Sequence, residues 1–208
     1  MPIDYALYLV TDRTILKNRD LPQAVEEAIK GGITMLQLRE KEASSADFYR
    51  LALKIKALAK ANNIPLIIND RLDIALAVDA DGLHIGQEDL PLKVARKLLG
   101  KDKILGYSVS NVAEAGYGEE NGADYLGAGP VYPTNSKAAA NNPIGIKCLE
   151  EVKKSVSVPV VAIGGIGFSN IKEVKNTKVD GVSLISSILG SDNIEDTTRG
   201  LLKLWREE

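Results

Sequence analysis

The feature that most constrains this chain is an eightfold alternation of short apolar runs with helical patterns. The runs are Ala6–Val10, Ile33–Leu38, Pro65–Ile68, Gly82–Ile85, Ile104–Val109, Tyr125–Ala128, Val158–Ile163 and Gly181–Ile185. Each is too short for a buried helix and apolar at consecutive positions. That is the signature of parallel strands covered on both faces.

Helical segments fill the gaps. Ala24, Val25, Ala28 and Ile29 share one helical face, as do Leu51, Ile55, Leu58 and Ala59 in a long helix spanning roughly 44–62. Ser44 and Ser45 are cap candidates for that helix, with Asp47 in its first turn. Pro91 suits the first turn of a fourth helix. Asn111 and Ser169 read as N-caps of the fifth and seventh. The fifth is the weakest, because Gly116 and Gly118 fall inside it. A last helix covers roughly 194–206. Strands and helices in alternation allow an open doubly wound sheet or a closed barrel. A repeat of about 20–30 residues, without a Pro/Ser-rich linker, favours a single small (β/α)8 TIM barrel over residues 1–208.

Composition removes other classes. The formal net charge is −2, with acids and bases interspersed, so nothing in bulk favours nucleic acid or a membrane surface. The one cysteine, Cys148, can form no internal disulfide, which points to a reducing cytoplasm. Cys148 itself opens a helical segment and reads as a small buried or half-buried residue. The segment after Met1 lacks a cationic start and an apolar core, so no signal peptide is expected. No apolar run is long enough to span a bilayer.

Polar residues collect just after the strands. The second run leads into Gln37-Leu38-Arg39-Glu40-Lys41, the third into Asn69-Asp70-Arg71, and the fourth into Gly86-Gln87-Glu88-Asp89. The fifth carries Gly106-Tyr107-Ser108, and the sixth leads into Gly129-Pro130 and on to Thr134-Asn135-Ser136-Lys137. Gly164 to Gly167 and Ser186-Ser187 follow the last two. In a closed barrel all these ends meet at one mouth, where this fold carries its chemistry.

Residue types say what such a mouth can hold. Arg39, Lys41 and Lys137 supply three cations. The glycine turn Gly164–Gly167 offers backbone N–H groups to an anion, at the usual phosphate position of these barrels. One phosphate therefore fits near strands seven and eight, and a second anionic group near strands two and six. Asp70 and Asp89 follow neighbouring strands. Two hard oxygen ligands beside phosphate suggest Mg²⁺, and no His or Cys pair exists for zinc. The bland alternatives are a solvated rim for Arg39 and Lys41, and a helix cap for Asp70. His84, the only histidine, lies inside a strand and reads as a packed barrel residue outside the chemistry rather than a general base. Nothing marks Ser108 as a hydrolase nucleophile. Trp205 reads as docking surface for the last helix.

These motifs together resemble the thiamine-phosphate synthase (thiamine phosphate pyrophosphorylase) family along nearly the whole chain. The resemblance rests on Tyr8-Leu9-Val10-Thr11-Asp12, Gln37 to Lys41, Ile67 to Arg71, Asp81 to Asp89, Gly129-Pro130 with Pro133-Thr134, Ile163 to Ile166 and Gly181-Val182-Ser183. It implies coupling of 4-amino-5-hydroxymethyl-2-methylpyrimidine diphosphate to 4-methyl-5-(2-hydroxyethyl)thiazole phosphate, with Mg²⁺ and release of pyrophosphate. By the same resemblance, Gln37, Leu38, Arg39, Glu40, Lys41, Asn69, Ser108 and Lys137 form the pyrimidine diphosphate site. Arg39, Lys41, Ser108 and Lys137 are its catalytic members. Thr134, Asn135, Ser136, Gly165, Ile185 and Ser186 form the thiazole phosphate site, and Asp70 and Asp89 hold one Mg²⁺. Ser136 stands where the family usually has Thr, which keeps the hydroxyl. Ala138 to Asn142 reads as a mobile lid.

The chemistry so implied is rupture of a carbon–oxygen bond to a charged leaving group, which asks for electrostatics and positioning more than a strong base. The rival on the same barrel is a thiazole tautomerase, which would not need the diphosphate and Mg²⁺ set. It would carry a histidine after the fifth strand, where this chain has Ser110-Asn111. Another phosphate-binding barrel enzyme would leave Asp70 with Asp89 unexplained, and a scaffold protein would leave the whole charged ring unexplained. Small molecules are the expected partners, and homo-oligomerisation is left open.

Overall fold

Each apolar run forms a strand, and the eight strands pair in sequence order until the last meets the first. The computed structural model describes residues 3–16, 19–134 and 142–207. The strands are β1 (Leu7–Val10), β2 (Met35–Leu38), β3 (Leu66–Asn69), β4 (Gly82–Ile85), β5 (Ile104–Val109), β6 (Tyr125–Ala128), β7 (Val160–Ile163) and β8 (Gly181–Leu184). All neighbours are parallel and the barrel is closed. Around it lie α1 (Leu21–Gly31), α2 (Ser45–Ala61), α3 (Leu72–Ala77), α4 (Leu92–Leu99), α5 (Val112–Glu120), α6 (Gly145–Ser155), α7 (Ile171–Asn176), α8 (Ser186–Leu189) and α9 (Ile194–Arg206).

Alternation along each strand splits the apolar residues into two cores. One set, including Leu7, Leu36, Leu38, Ile68, Leu83, Leu105 and Leu126, packs outward against the helices. The other, Tyr5, Tyr8, Met35, Ile67, Tyr125 and Val161, fills the barrel interior. Trp205 is buried on α9 within the outer core. Cys148 is half-buried, as expected, with Sγ 3.6 Å from the Ser110 carbonyl.

Four side chains close the lower rim by one repeated device. Thr34 Oγ1 accepts from Leu7 N, and the Oδ2 atoms of Asp81, Asp124 and Asp180 accept from the backbone N–H of Leu66, Leu105 and Val160 at 2.7–2.8 Å. In each case the residue just before an even-numbered strand satisfies the N–H near the start of the strand before it. Buried strand ends would otherwise carry an unpaired donor. Arg96 and Lys153 neutralise Asp124 and Asp180 from the flanking helices.

Two helix starts differ from the sequence expectation. Ser44 and Asn111 cap as predicted, accepting from Asp47 N and Glu114 N. The seventh helix instead begins after Asn170, one residue beyond Ser169, because the Asn170 Oδ1 is engaged by Gly167 N inside the preceding turn. Pro91 occupies the cap position of α4 rather than its first turn, with ψ 133° keeping it extended. The glycine-containing α5 forms, and Gly118 lets it lie against Leu126 and Tyr107.

Candidate active site

The strand ends meet at one mouth. β1 continues into Thr11 and Asp12, both buried. Thr11 N donates to the Gln37 carbonyl, and Thr11 Oγ1 accepts from Arg39 N at 2.9 Å, so the end of β1 positions the end of β2. Asp12 Oδ2 accepts from Arg39 Nη1 at 3.1 Å, while its Oδ1 accepts from Thr14 N and Oγ1. Held by two local donors, the Asp12 carboxylate fixes one edge of the Arg39 guanidinium. Arg39 Nε is buried without a protein partner. Charge and an unsatisfied donor together leave Arg39 able to bind an anion.

Lys41 and the predicted metal pair form the next cluster. Lys41 Nζ contacts Asp70 Oδ2 at 2.5 Å. Asp70 is held at φ 61°, with its N–H donating to the His84 carbonyl. It is therefore not the cap of α3, whose start falls at Arg71 without a side-chain cap bond. Asp89 Oδ2 accepts from Gly86 N at 2.7 Å. Burial pushes the Asp89 carboxyl upward, the Gly86 N–H opposes this, and the Asp70 carboxylate beside it raises it further. The two acids thus face each other across the ends of β3 and β4, with an ammonium on one of them. Such a donor set fits Mg²⁺, which is bound by one or two carboxylates, waters and substrate phosphate rather than a protein cage. Among the described residues no group of three or more His, Cys, Asp or Glu side chains could hold a metal by itself.

Other predicted residues take distinct places. Gln37 and Asn69 are buried at the top of the barrel interior. Ser108 is half-buried on β5, with Oγ 2.9 Å from His84 Nε2. Leu38 belongs to the outer core, so its side chain faces the helices and only its backbone reaches the mouth. Glu40 turns under the loop. Its side chain is 5% exposed, Oε2 lies 3.4 Å from Arg13 Nη1, and Oε1 is unpartnered. Burial raises its carboxyl, and Arg13 opposes the shift.

The opposite side of the mouth is built from backbone. Gly164 and Gly165 have φ of 101° and 67°. Asn170 ties the turn together, accepting from Gly167 N and donating to the Gly165 carbonyl. Ser187 Oγ donates to the Ile166 carbonyl, joining the loops after β7 and β8. Tyr132 N donates to the Gly164 carbonyl, which brings the segment ending at Thr134 against the same turn. Ile185 is buried below, and Ser186 is exposed at the start of α8. Asn135, Ser136, Lys137 and most of the expected lid, Ala138 to Asn141, lie outside the described residues.

Sequence reasoning missed several partners. Asp12 and Thr11 enter the sequence reading only as part of a motif, although an acid at a strand end next to a strand bearing Arg39 is a usable signal. His84 is buried inside its strand as expected. It contacts Ser108 on one side and Tyr125 on the other, across 24 and 41 residues of sequence. The Ser110-Asn111 step after β5 is engaged by Glu114, which accepts from Ser110 N and Asn111 Nδ2.

Comparison with known proteins agrees with this fold. The family model described as thiamine monophosphate synthase matches residues 7–188. A thiamine-phosphate synthase of Desulfitobacterium hafniense (strain Y51) is 55% identical over 99% of this chain and 100% of its own length. One from Syntrophomonas wolfei is 52% identical over 97% of both. A solved thiamine phosphate pyrophosphorylase from Pyrococcus furiosus superposes with TM-score 0.89 and 38% identity, covering 98% of this chain and 96% of that one. With the same barrel and identity of this extent end to end, the chain belongs to the thiamine monophosphate synthase family.

Proposed function

We propose that this mouth joins 4-amino-5-hydroxymethyl-2-methylpyrimidine diphosphate to 4-methyl-5-(2-hydroxyethyl)thiazole phosphate, forming thiamine phosphate and pyrophosphate. The observation that carries the reading is the convergence of Arg39, Lys41, Asp70 and Asp89 on one side of the mouth. The backbone turn Gly164–Gly167 faces it from the other. That is one site for a diphosphate and another for a monophosphate.

The bond between the pyrimidine methylene carbon and the diphosphate oxygen breaks, and its electron pair leaves with pyrophosphate. The thiazole nitrogen lone pair forms the new carbon–nitrogen bond, so no proton need be removed from either reacting atom. Arg39, pre-set by Asp12, meets charge growing on the leaving group without reorganising during the reaction. Lys41 does the same, and Ser108 supplies a neutral donor. Asp70 and Asp89 would hold Mg²⁺, which supplies charge neutralisation at the diphosphate. The backbone N–H groups of Gly165 and Ile166 and the exposed Ser186 anchor the thiazole phosphate, placing its nitrogen for attack. Lys137 and the Thr134–Ser136 segment complete the two sites in this reading.

A thiazole tautomerase on the same barrel is not favoured. Its proton shuttle would stand after β5, where Ser110 and Asn111 are held by Glu114. The protein lies in the cytoplasm in this reading, and no helix among the described residues is long and apolar enough to cross a membrane. Pyrophosphate release with both substrates and Mg²⁺, lost when any one is omitted, is the expected result. No pyrophosphate with all three present would end the synthase reading.

A further inference from the structure

The barrel interior contains a line of hydrogen bonds that the leaving-group chemistry does not require. Gln37 Nε2 donates to Tyr8 OH at 2.7 Å. The Tyr8 and Tyr125 hydroxyls are 2.8 Å apart, Tyr125 OH is 2.8 Å from His84 Nδ1, and His84 Nε2 is 2.9 Å from Ser108 Oγ. The line crosses the barrel from β2 through β1, β6 and β4 to β5. Its ends, Gln37 and Ser108, line one small pocket, together with Ser183, whose buried Oγ has no partner. A buried unpaired hydroxyl facing the pocket marks it as a place for a polar ligand. Space for the line is kept by Gly106, where a Cβ would overlap Tyr125 and His84 Nδ1.

The line has a direction. Burial pushes both phenols up, so each carries one hydrogen to give. Tyr8, having accepted from Gln37, donates to Tyr125, and Tyr125 donates to His84 Nδ1. The single hydrogen of a neutral imidazole then sits on Nε2 and is donated to Ser108 Oγ. Ser108 is left with its own hydrogen for the pocket. At the other end Gln37 has used one amide hydrogen inward, which fixes the amide with Oε1 as its one acceptor and the second N–H as a donor beside it. Reversing either end requires the amide, two hydroxyls, a tautomer and the serine to turn together, since a reversed link beside an unreversed one leaves buried groups unpaired.

We propose that Tyr8, Tyr125 and His84 are positioning residues that lock this polarity, so that Gln37 Oε1 selects a pyrimidine bearing an amino donor over one bearing an oxo acceptor. This rests on assigning the pocket to the aminopyrimidine diphosphate. The amino group is also the one whose electron density assists departure of pyrophosphate, so selection here favours the substrate able to react.

His84 is the only histidine, so ¹⁵N-histidine labelling gives one imidazole signature in the free full-length protein. The expected spectrum shows hydrogen on Nε2 and a bare Nδ1. An Nδ1–H or doubly protonated ring overturns the proposal. The second measurement is the ratio of kcat/KM for the 4-amino to the 4-oxo pyrimidine diphosphate. Tyr125→Phe cuts the line while keeping the ring, and should shrink that ratio about tenfold, through improved use of the oxo compound. Tyr5→Phe is the control, because Tyr5 stacks on Tyr125 at 5.3 Å without joining the line, and should leave the ratio unchanged. An active Tyr125→Phe enzyme with the wild-type ratio overturns the proposal. Should that variant fail to fold, Tyr8→Phe provides the same measurement. Failure of the synthase reading would show separately, as no pyrophosphate from wild type with the amino substrate, whereas the tautomer is read without substrate.

Discussion

Gly165→Ala tests whether the thiazole phosphate side of the mouth is built from backbone. Gly165 has φ 67°, and a Cβ there would lie 2.7 Å from both the Pro133 carbonyl oxygen and Tyr132 Cβ. Two effects follow. Holding alanine in the left-handed region costs about 1–2 kcal/mol. Moving those contacts from 2.7 Å to ordinary contact at 3.4 Å displaces the Tyr132–Thr134 segment, or the turn itself, by about 0.7 Å. In a site that works by positioning, a shift approaching 1 Å costs about 10- to 100-fold. The loss should fall on kcat/KM for the thiazole phosphate, with KM for the pyrimidine diphosphate within about twofold of wild type, because Arg39, Lys41, Asp70 and Asp89 lie on other strands. The assay is pyrophosphate release with each substrate varied in turn. Calorimetry should show a midpoint about 2–8 °C lower, from about 2–4 °C per kcal/mol for a chain of this size. Unchanged thiazole phosphate kinetics, or an equal loss for both substrates, would refute the reasoning.

Three further outcomes can be checked. Asp12→Asn removes the charge fixing Arg39 Nη1 and should lower kcat/KM for the pyrimidine diphosphate about 10- to 100-fold, with KM for the thiazole phosphate unmoved. Asp124→Ala leaves Leu105 N unpaired at the lower rim and removes the carboxylate paired with Arg96, so denaturant melts should show about 1–3 kcal/mol of lost stability with kcat near wild type. Glu40→Gln concerns pH. Because burial raises the folded-state pKa of Glu40, its ionisation opposes folding above that pKa, and wild type loses stability as pH rises through it. The variant should therefore be the more stable at neutral pH, with the gain fading as pH falls below the ordinary glutamate range. A gain that grows on acidification would contradict the assignment.

Much of this barrel was legible in the sequence. Short runs apolar at consecutive positions can only be two-faced strands, and eight in alternation with helices leave few architectures. The long α2 and its Ser44 cap followed from local spacing, since a cap bond reaches only three residues. Local reasoning failed where a tertiary contact competed. Asn170 displaced Ser169 at the seventh helix because its side chain is tied to the glycine turn. Pro91 moved out of its helix because the end of β4 delivers the chain extended. Glu40, which the resemblance places in the pyrimidine diphosphate site, has its side chain turned inward beneath the loop.

The sequence by itself determined the strands and the polar character of their ends, because strand alternation and strand ends are local properties of the chain. The tertiary structure alone decided how they are coupled. Barrel closure brings Asp12 to Arg39, brings Lys41 and Asp89 to Asp70, and joins Gln37, Tyr8, Tyr125, His84 and Ser108 into one line. Those partners lie 19 to 117 residues apart in sequence, and a hydrogen bond is satisfied only within about 3 Å. No pattern along the chain encodes such proximity, so the lone histidine reads as bystander packing until the barrel is closed around it.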